Sequence, residues 1–140
     1  MSIKYRRAVT GDAVQAVDDF DIDATYAATA VKGDIVKLNA SGEVVAAAAD
    51  DTSVLGVFEG PIIQIDAETP IRGKVRTSGA AVYEMTASGG TPVVGTSYPI
   101  GLSSGDYFLN AAVTTNSLVK VIAERSNGNY DVIISGRQLG

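Results

Sequence analysis

The chain has 140 residues, 46% hydrophobic and 19% charged, with a net charge of −5 and neither Cys nor His. That length fits one domain able to bury about 65 to 70% of the surface its unfolded form exposes, and the composition is too apolar for disorder. Absence of Cys removes disulfides and zinc-thiolate sites. Absence of His removes the commonest general base and metal ligand, so neither an enzyme nor a cofactor is expected.

In chain order, "SIKYRRAV", Ser2 to Val9, comes first. Lys4, Arg6 and Arg7 alternate with Ile3 and Tyr5, which suits a segment that lies in a partner's groove or adds a strand to its sheet. No apolar signal core follows, and no run approaches membrane-spanning length, so a soluble protein made in a cytoplasm is expected. Residues 1–16 are read as an N-terminal arm docked on a partner, and residues 17–140 as one domain. "GDAVQAVDDFD" offers a short helical turn. In "DDFDID", Asp18 to Asp23, the residues Asp18, Asp19, Asp21 and Asp23 form an acidic stretch. Alternate Asp residues resemble the first ligands of a calcium loop, but the required Gly is Ala24 and the bidentate position is Ala30, which excludes an EF-hand.

Strands are then expected over 34–38, 43–47, 54–59, 62–65, 71–77, 80–85, 97–101, 118–124 and 130–135, where Val, Ile, Thr and Tyr run between Gly, Pro, Asn, Asp or Ser. "AAAADDTS" has helix propensity but no apolar stripe, so one short helix at most is expected. In "IRGKVRT", Arg72, Lys74 and Arg76 share one strand face, opposite Ile71 and Val75. That face is either a solvated edge or a surface for acidic residues, Asp18 to Asp23 among them, of an adjacent subunit. The halves differ in sign. Residues 1–70 hold 5 basic and 12 acidic residues, and residues 71–140 hold 6 and 4.

"GLSSG", Gly101 to Gly105, matches the elbow around a nucleophilic serine, but Ser103 lacks a His partner and the segment reads as a turn. Phe58, Tyr83, Tyr98, Tyr107 and Phe108 are read as core aromatics, with a sugar-stacking platform as the alternative. At the C-terminus "LVKVIAE" and "YDVIIS" flank Asn127-Gly128, which predicts a hairpin with a type I′ turn and with Tyr130, Val132 and Ile134 on the core face. The pattern is all-β, a sandwich or barrel. An acidic net charge disfavours nucleic acid.

"GDIVKLNASGEVVAAAADDTSVLGVFEG", Gly33 to Gly60, resembles the head-decoration or capsid cement proteins of tailed bacteriophages. The matching residues are Gly33, Asp34, Val36, Lys37 and Leu38, then Gly42, Val44 and Ala47, then Leu55, Gly56 and Val57. "GGTPVVGTSYPIG" is similar to a later glycine-bounded strand of that group. The resemblance covers about half the chain. It implies a small β-barrel or β-tulip domain with an N-terminal arm on the outer capsid surface of the virion. It also implies a homotrimer at three-fold sites that binds the major capsid protein and stabilises the shell. The arm here is basic rather than apolar or Pro-rich. The interaction features, Ile3, Lys4, Tyr5, Arg6, Arg7, the four Asp residues, Arg72, Lys74 and Arg76, are the expected partner-binding set. A tail-tube or fibre-associated protein and a carbohydrate-binding module are the alternatives.

Overall fold

The computed structural model describes residues 3–8 and 17–139. In chain order the strands are β1 (Lys4–Ala8), β2 (Val17–Asp21), β3 (Ile35–Leu38), β4 (Val44–Ala46), β5 (Gly56–Phe58), β6 (Arg72–Arg76), β7 (Ala81–Met85), β8 (Ala87–Ser88), β9 (Ser97–Tyr98), β10 (Ile100–Ser103), β11 (Asp106–Asn110), β12 (Val119–Glu124) and β13 (Tyr130–Ile134). One short helix, α1 (Ala24–Ala27), lies between β2 and β3. The expected all-β class with at most one short helix is what the described residues adopt. No helix among the described residues is long and apolar enough to cross a membrane.

Three sheets form. The first has the order β1-β7-β13-β12-β9 and the second β2-β6-β5-β3-β4, both antiparallel. The third has the order β10-β11-β8, with β11 and β8 parallel. In the second sheet a single parallel bridge, Ile22 to Val44, draws the two ends toward each other. The described residues form no closed barrel.

The second sheet separates two cores. Ile35 of β3 and Val57 of β5 pack into the larger cluster with Tyr83, Ile100, Leu109, Leu118 and Val132. Their neighbours Val36 and Phe58 turn to the smaller cluster with Ile22, Tyr26, Leu55 and Val75. Successive strand residues point to opposite faces, so a strand buried on both must be apolar at every position. This is why the runs between Gly33 and Gly60 lack polar alternation. Burying side chains of this size stabilises by about 1.5–3 kcal/mol each.

The turns follow local chemistry. Asn39 N–H donates to Glu43 C=O at 2.8 Å and Gly42 N–H to Asn39 C=O at 3.0 Å. The C-terminal hairpin closes in the same way, with Arg125 N–H to Asn129 C=O at 2.8 Å and Gly128 N–H to Arg125 C=O at 3.0 Å. The expected type I′ turn at Asn127-Gly128 is therefore replaced by a three-residue loop in which only Gly128 has positive φ, +87°. The primed turn is elsewhere. Ser104 (φ 52°) and Gly105 (φ 82°) join β10 to β11 across the Ser103–Asp106 pair.

Several expectations shift. The run 62–65 makes only the bridge from Ile63 to Arg72, because it follows Pro61, which has no N–H to give a ladder. The strand expected over 97–101 is divided at Pro99 into β9 and β10. The one helix starts at Asp23, whose carboxylate accepts the Tyr26 N–H at 3.0 Å, rather than in "AAAADDTS". The turn read in "GDAVQAVDDFD" lies outside the described residues up to position 16, and its remainder is β2.

A Cβ on Gly56 would lie 2.0 Å from the Arg76 carbonyl oxygen, so β5 and β6 approach each other only because the position is bare. Gly42, by contrast, has open space but φ +78°. Gly42→Ala is expected to cost about 1–2 kcal/mol from the left-handed backbone alone. Gly56→Ala should cost more, since the ladder itself must part, and the two urea midpoints read the difference.

Candidate interaction surface

The acidic stretch and the basic face meet, but within one chain. Antiparallel pairing of β2 with β6 sets Asp21 opposite Arg72 and Asp19 opposite Lys74. Arg72 Nη1 lies 2.6 Å from Asp21 Oδ1 and Lys74 Nζ 3.2 Å from Asp19 Oδ1. The expectation of acids supplied by an adjacent subunit is corrected here for these two pairs: the cross-strand register already supplies them. Each side chain is about half exposed, so each pair contributes about 0.2–1 kcal/mol. Arg76 is more enclosed and holds Glu59, Nε to Oε1, at 2.9 Å.

With Asp19 and Asp21 in ion pairs and Asp23 capping α1, the calcium-like alternation is spent on structure. Among the described residues no group of three or more carboxylates is placed to hold a metal ion. Asp18 differs from its neighbours. It is exposed and stands opposite Val75, and its carboxylate makes no hydrogen bond or ion pair among the described residues.

The N-terminal segment lies on the chain's own first sheet. Lys4 pairs with Glu84, Tyr5 with Tyr83, Arg7 with Val82 and Ala8 with Ala81, with a bulge between Tyr5 and Arg7. Ile3 is buried in the larger core. From the bulge Arg6 reaches Glu84, with Nε to Oε1 at 2.8 Å and Nη2 on the same oxygen.

Glu84 was not singled out in the sequence. Its signal is a lone carboxylate inside the apolar run "AAVYEM". It is 1% exposed and stands opposite Asp131 in the β7–β13 ladder, an unfavourable pairing of like charges. Arg125 offsets this by facing both, with Nη1 3.0 Å from Asp131 Oδ1 and Nε 3.4 Å from Glu84 Oε1. Asn129 and Asn127 donate from Nδ2 to the other Glu84 oxygen at 2.6 and 2.9 Å. These donors, Asn129 foremost, then Asn127 and Arg6, hold the carboxyl at about 2, below its ordinary 4.5, against the opposing effect of burial.

A third feature projects from the fold. Between Gly60 and Pro70 the chain braces itself: Asp66 Oδ1 accepts the N–H of Glu68 at 2.9 Å and of Thr69 at 3.1 Å. Gln64 Nε2 donates to Thr69 C=O at 3.1 Å. At its tip Ile65 is 84% exposed, with Ile63 nearby at 53%. An apolar side chain held out on a braced loop is pre-organised for contact with another surface. Beside it runs an open groove lined by Asp21, Glu43, Gln64, Glu68 and Ile71.

The remaining candidates are structural. Ser103 sits at the β10–β11 turn, as read. Phe58, Tyr83, Tyr98 and Tyr107 are buried, which leaves Tyr98 and Tyr107 no open ring face for stacking on a sugar. Phe108 is half-buried and covers Gly101 across the ladder. Asp34, from the "GDIVKL" stretch, accepts the Tyr26 hydroxyl at 2.7 Å and the Val31 N–H at 3.0 Å, while the Tyr107 hydroxyl donates to Ala47 C=O at 2.7 Å. Burial, chiefly, pushes both phenols up. No protein-family model matches the chain, and none of the curated proteins or solved structures matches it either.

Because Glu84 has a lower pKa folded than unfolded, the native state binds fewer protons, and the stability it contributes rises with pH. That contribution is complete above about pH 5 and is lost as pH falls toward about 2. Urea midpoints taken from pH 7 down to pH 3 should drop, and Glu84→Gln should flatten this part of the profile. At pH 7, Asn129→Ala should cost about 1.5–3 kcal/mol, the worth of a hydrogen bond to a charged group.

Proposed function

We propose that this chain is a non-enzymatic head-decoration protein of a tailed bacteriophage, which binds the major capsid protein on the outer surface of the virion. The observation that carries the reading is the resemblance of Gly33–Gly60 to capsid cement proteins. In the fold this stretch supplies β3, β4 and β5, three neighbours in one sheet. The braced loop that presents Ile65 follows directly from β5 and leads into β6. The reading has the chain act as a trimer at three-fold positions.

Such a role asks for stiffness and for repeated contact rather than for a reacting group. A ligand that prefers the assembled shell over its free subunits stabilises the shell by mass action, and symmetric copies let modest contacts act together. Ile65 is the contact favoured here, since an exposed apolar side chain on a pre-organised loop loses little conformational freedom when buried.

The test is cosedimentation of the purified chain with expanded phage heads that lack decoration. Saturable binding at about three copies per three-fold site is expected, as closed symmetry requires. Ile65→Glu should weaken that binding roughly tenfold or more, because burying such a side chain is worth about 1.5–3 kcal/mol. Absence of affinity for heads would remove the proposal.

A further inference from the structure

Two of the strands that end the sheets, β1 and β2, are opposite in charge. Strand β1 is paired only with β7, and β2 forms its ladder only with β6, with β4 bridged to its C-terminal end through Ile22 and Val44, so the outer edges without a partner among the described residues are that of β1 and that of β2 ahead of this bridge. Such edges are templates for pairing with another chain. The sequence of β1, "KYRRA", carries three cations and no anion. That of β2, "VDDFD", carries three anions and no cation. Both are five residues long.

Aligned antiparallel, the two segments match position by position. Lys4 faces Asp21, Tyr5 faces Phe20, Arg6 faces Asp19, Arg7 faces Asp18 and Ala8 faces Val17. Opposite charges, paired aromatics and paired small apolar residues are the combinations that stabilise an antiparallel ladder. The bulge between Tyr5 and Arg7 allows a shift of one residue in the second half. In that shifted register Arg7 meets Asp19 and Ala8 meets Asp18, so an ion pair of Arg7 with Asp18 belongs to the unshifted register. Within one chain this pairing is not made: β1 and β2 belong to different sheets.

We propose that the basic edge strand β1 of one copy pairs antiparallel with the acidic edge strand β2 of a second copy, so that the chain self-associates through its sheet edges. Asp18 is the residue whose charge is still unspent, being exposed and without an ion pair among the described residues. Asp19 and Asp21 are in half-exposed pairs whose rearrangement costs little. The inference rests on the self-associating part of the proposed function and is independent of head binding.

The experiment is light scattering of the full chain in solution, without heads, over a range of concentration and salt. Wild type should form oligomers that dissociate as salt rises, as contacts between exposed charges do. Two variants reverse one edge each: Lys4→Glu with Arg7→Glu, and Asp18→Lys, with Arg6 kept because it holds Glu84. Each alone should be mostly monomeric, and mixing the two should restore association, because each then offers the edge that the other lacks. A wild type that stays monomeric, or an oligomer untouched by either variant, overturns the proposal. Should a variant fail to fold, hydrogen exchange on wild type decides: amides of 4–8 and 17–21 should gain protection with rising concentration, and unchanged protection overturns the pairing. Loss of head binding with edge pairing intact would overturn the decoration reading alone.

Discussion

The fold depends on two strands that are buried on both faces. In β3 and β5 one residue enters the larger core and the next enters the smaller. Over Ile35–Val36 and Gly56–Phe58 no position is polar, and neither core is complete without these strands; Lys37, farther along β3, is only half-buried and pairs with Asp51. The close approach of β5 to β6 follows from the same constraint, since Gly56 lets the Arg76 carbonyl come where any side chain would stand. Asp34, at the start of β3, then answers the Tyr26 hydroxyl and the Val31 N–H, which seats α1 and its loop against the smaller core. What reads in sequence as a punctuated apolar repeat is the wall shared by two cores.

The first sheet is closed by a polar device instead. Glu84 sits in the middle of a strand with no exposed neighbour, and an unpaired carboxylate there would cost several kcal/mol. Arg6 from the N-terminal strand, Arg125 at the end of β12, and Asn127 and Asn129 from the loop before β13 all converge on it. Three segments distant in sequence, β1, β7 and residues 125–129, are thereby fixed against one another. Charge that would be a liability alone becomes a specification of where β1 and the C-terminal hairpin must lie.

How much of this was legible depends on the range of the interaction. Tyr130, Val132 and Ile134 share one face of a strand by period-two alternation, and that was enough to place them in the core. The hairpin was legible in place but not in turn type, because Asn127 gives its side chain to Glu84 and to the Asn129 N–H and does not adopt positive φ. Strands β1 and β2 were hidden by their charges. Asp19 and Asp21 find Lys74 and Arg72 more than fifty positions away, a pairing that no local period announces. The sequence left the cations of β6 either to solvent or to acids of an adjacent subunit, and two of those acids, Asp19 and Asp21, come from the same chain. Only the register of β2 on β6 could place both in one chain. In the run 62–65 the error was opposite, since apolarity suggested a strand where Pro61 and the self-bonded loop leave Ile65 in solvent.

These distinctions separate the interaction features that remain open from those already used. Arg72, Lys74 and Arg76 neutralise acids of their own chain, so they complete the second sheet before they meet anything else. Ile65 and the free carboxylate of Asp18 have no such internal role, and they differ in chemistry. An apolar tip gains affinity by desolvation and is insensitive to salt, whereas a charged edge steers and aligns and weakens as salt rises. A chain that must both assemble with its own copies and settle on another surface has reason to keep the two kinds of contact on separate elements. In the proposed reading the β2 edge sets symmetry and the loop between β5 and β6 sets adhesion.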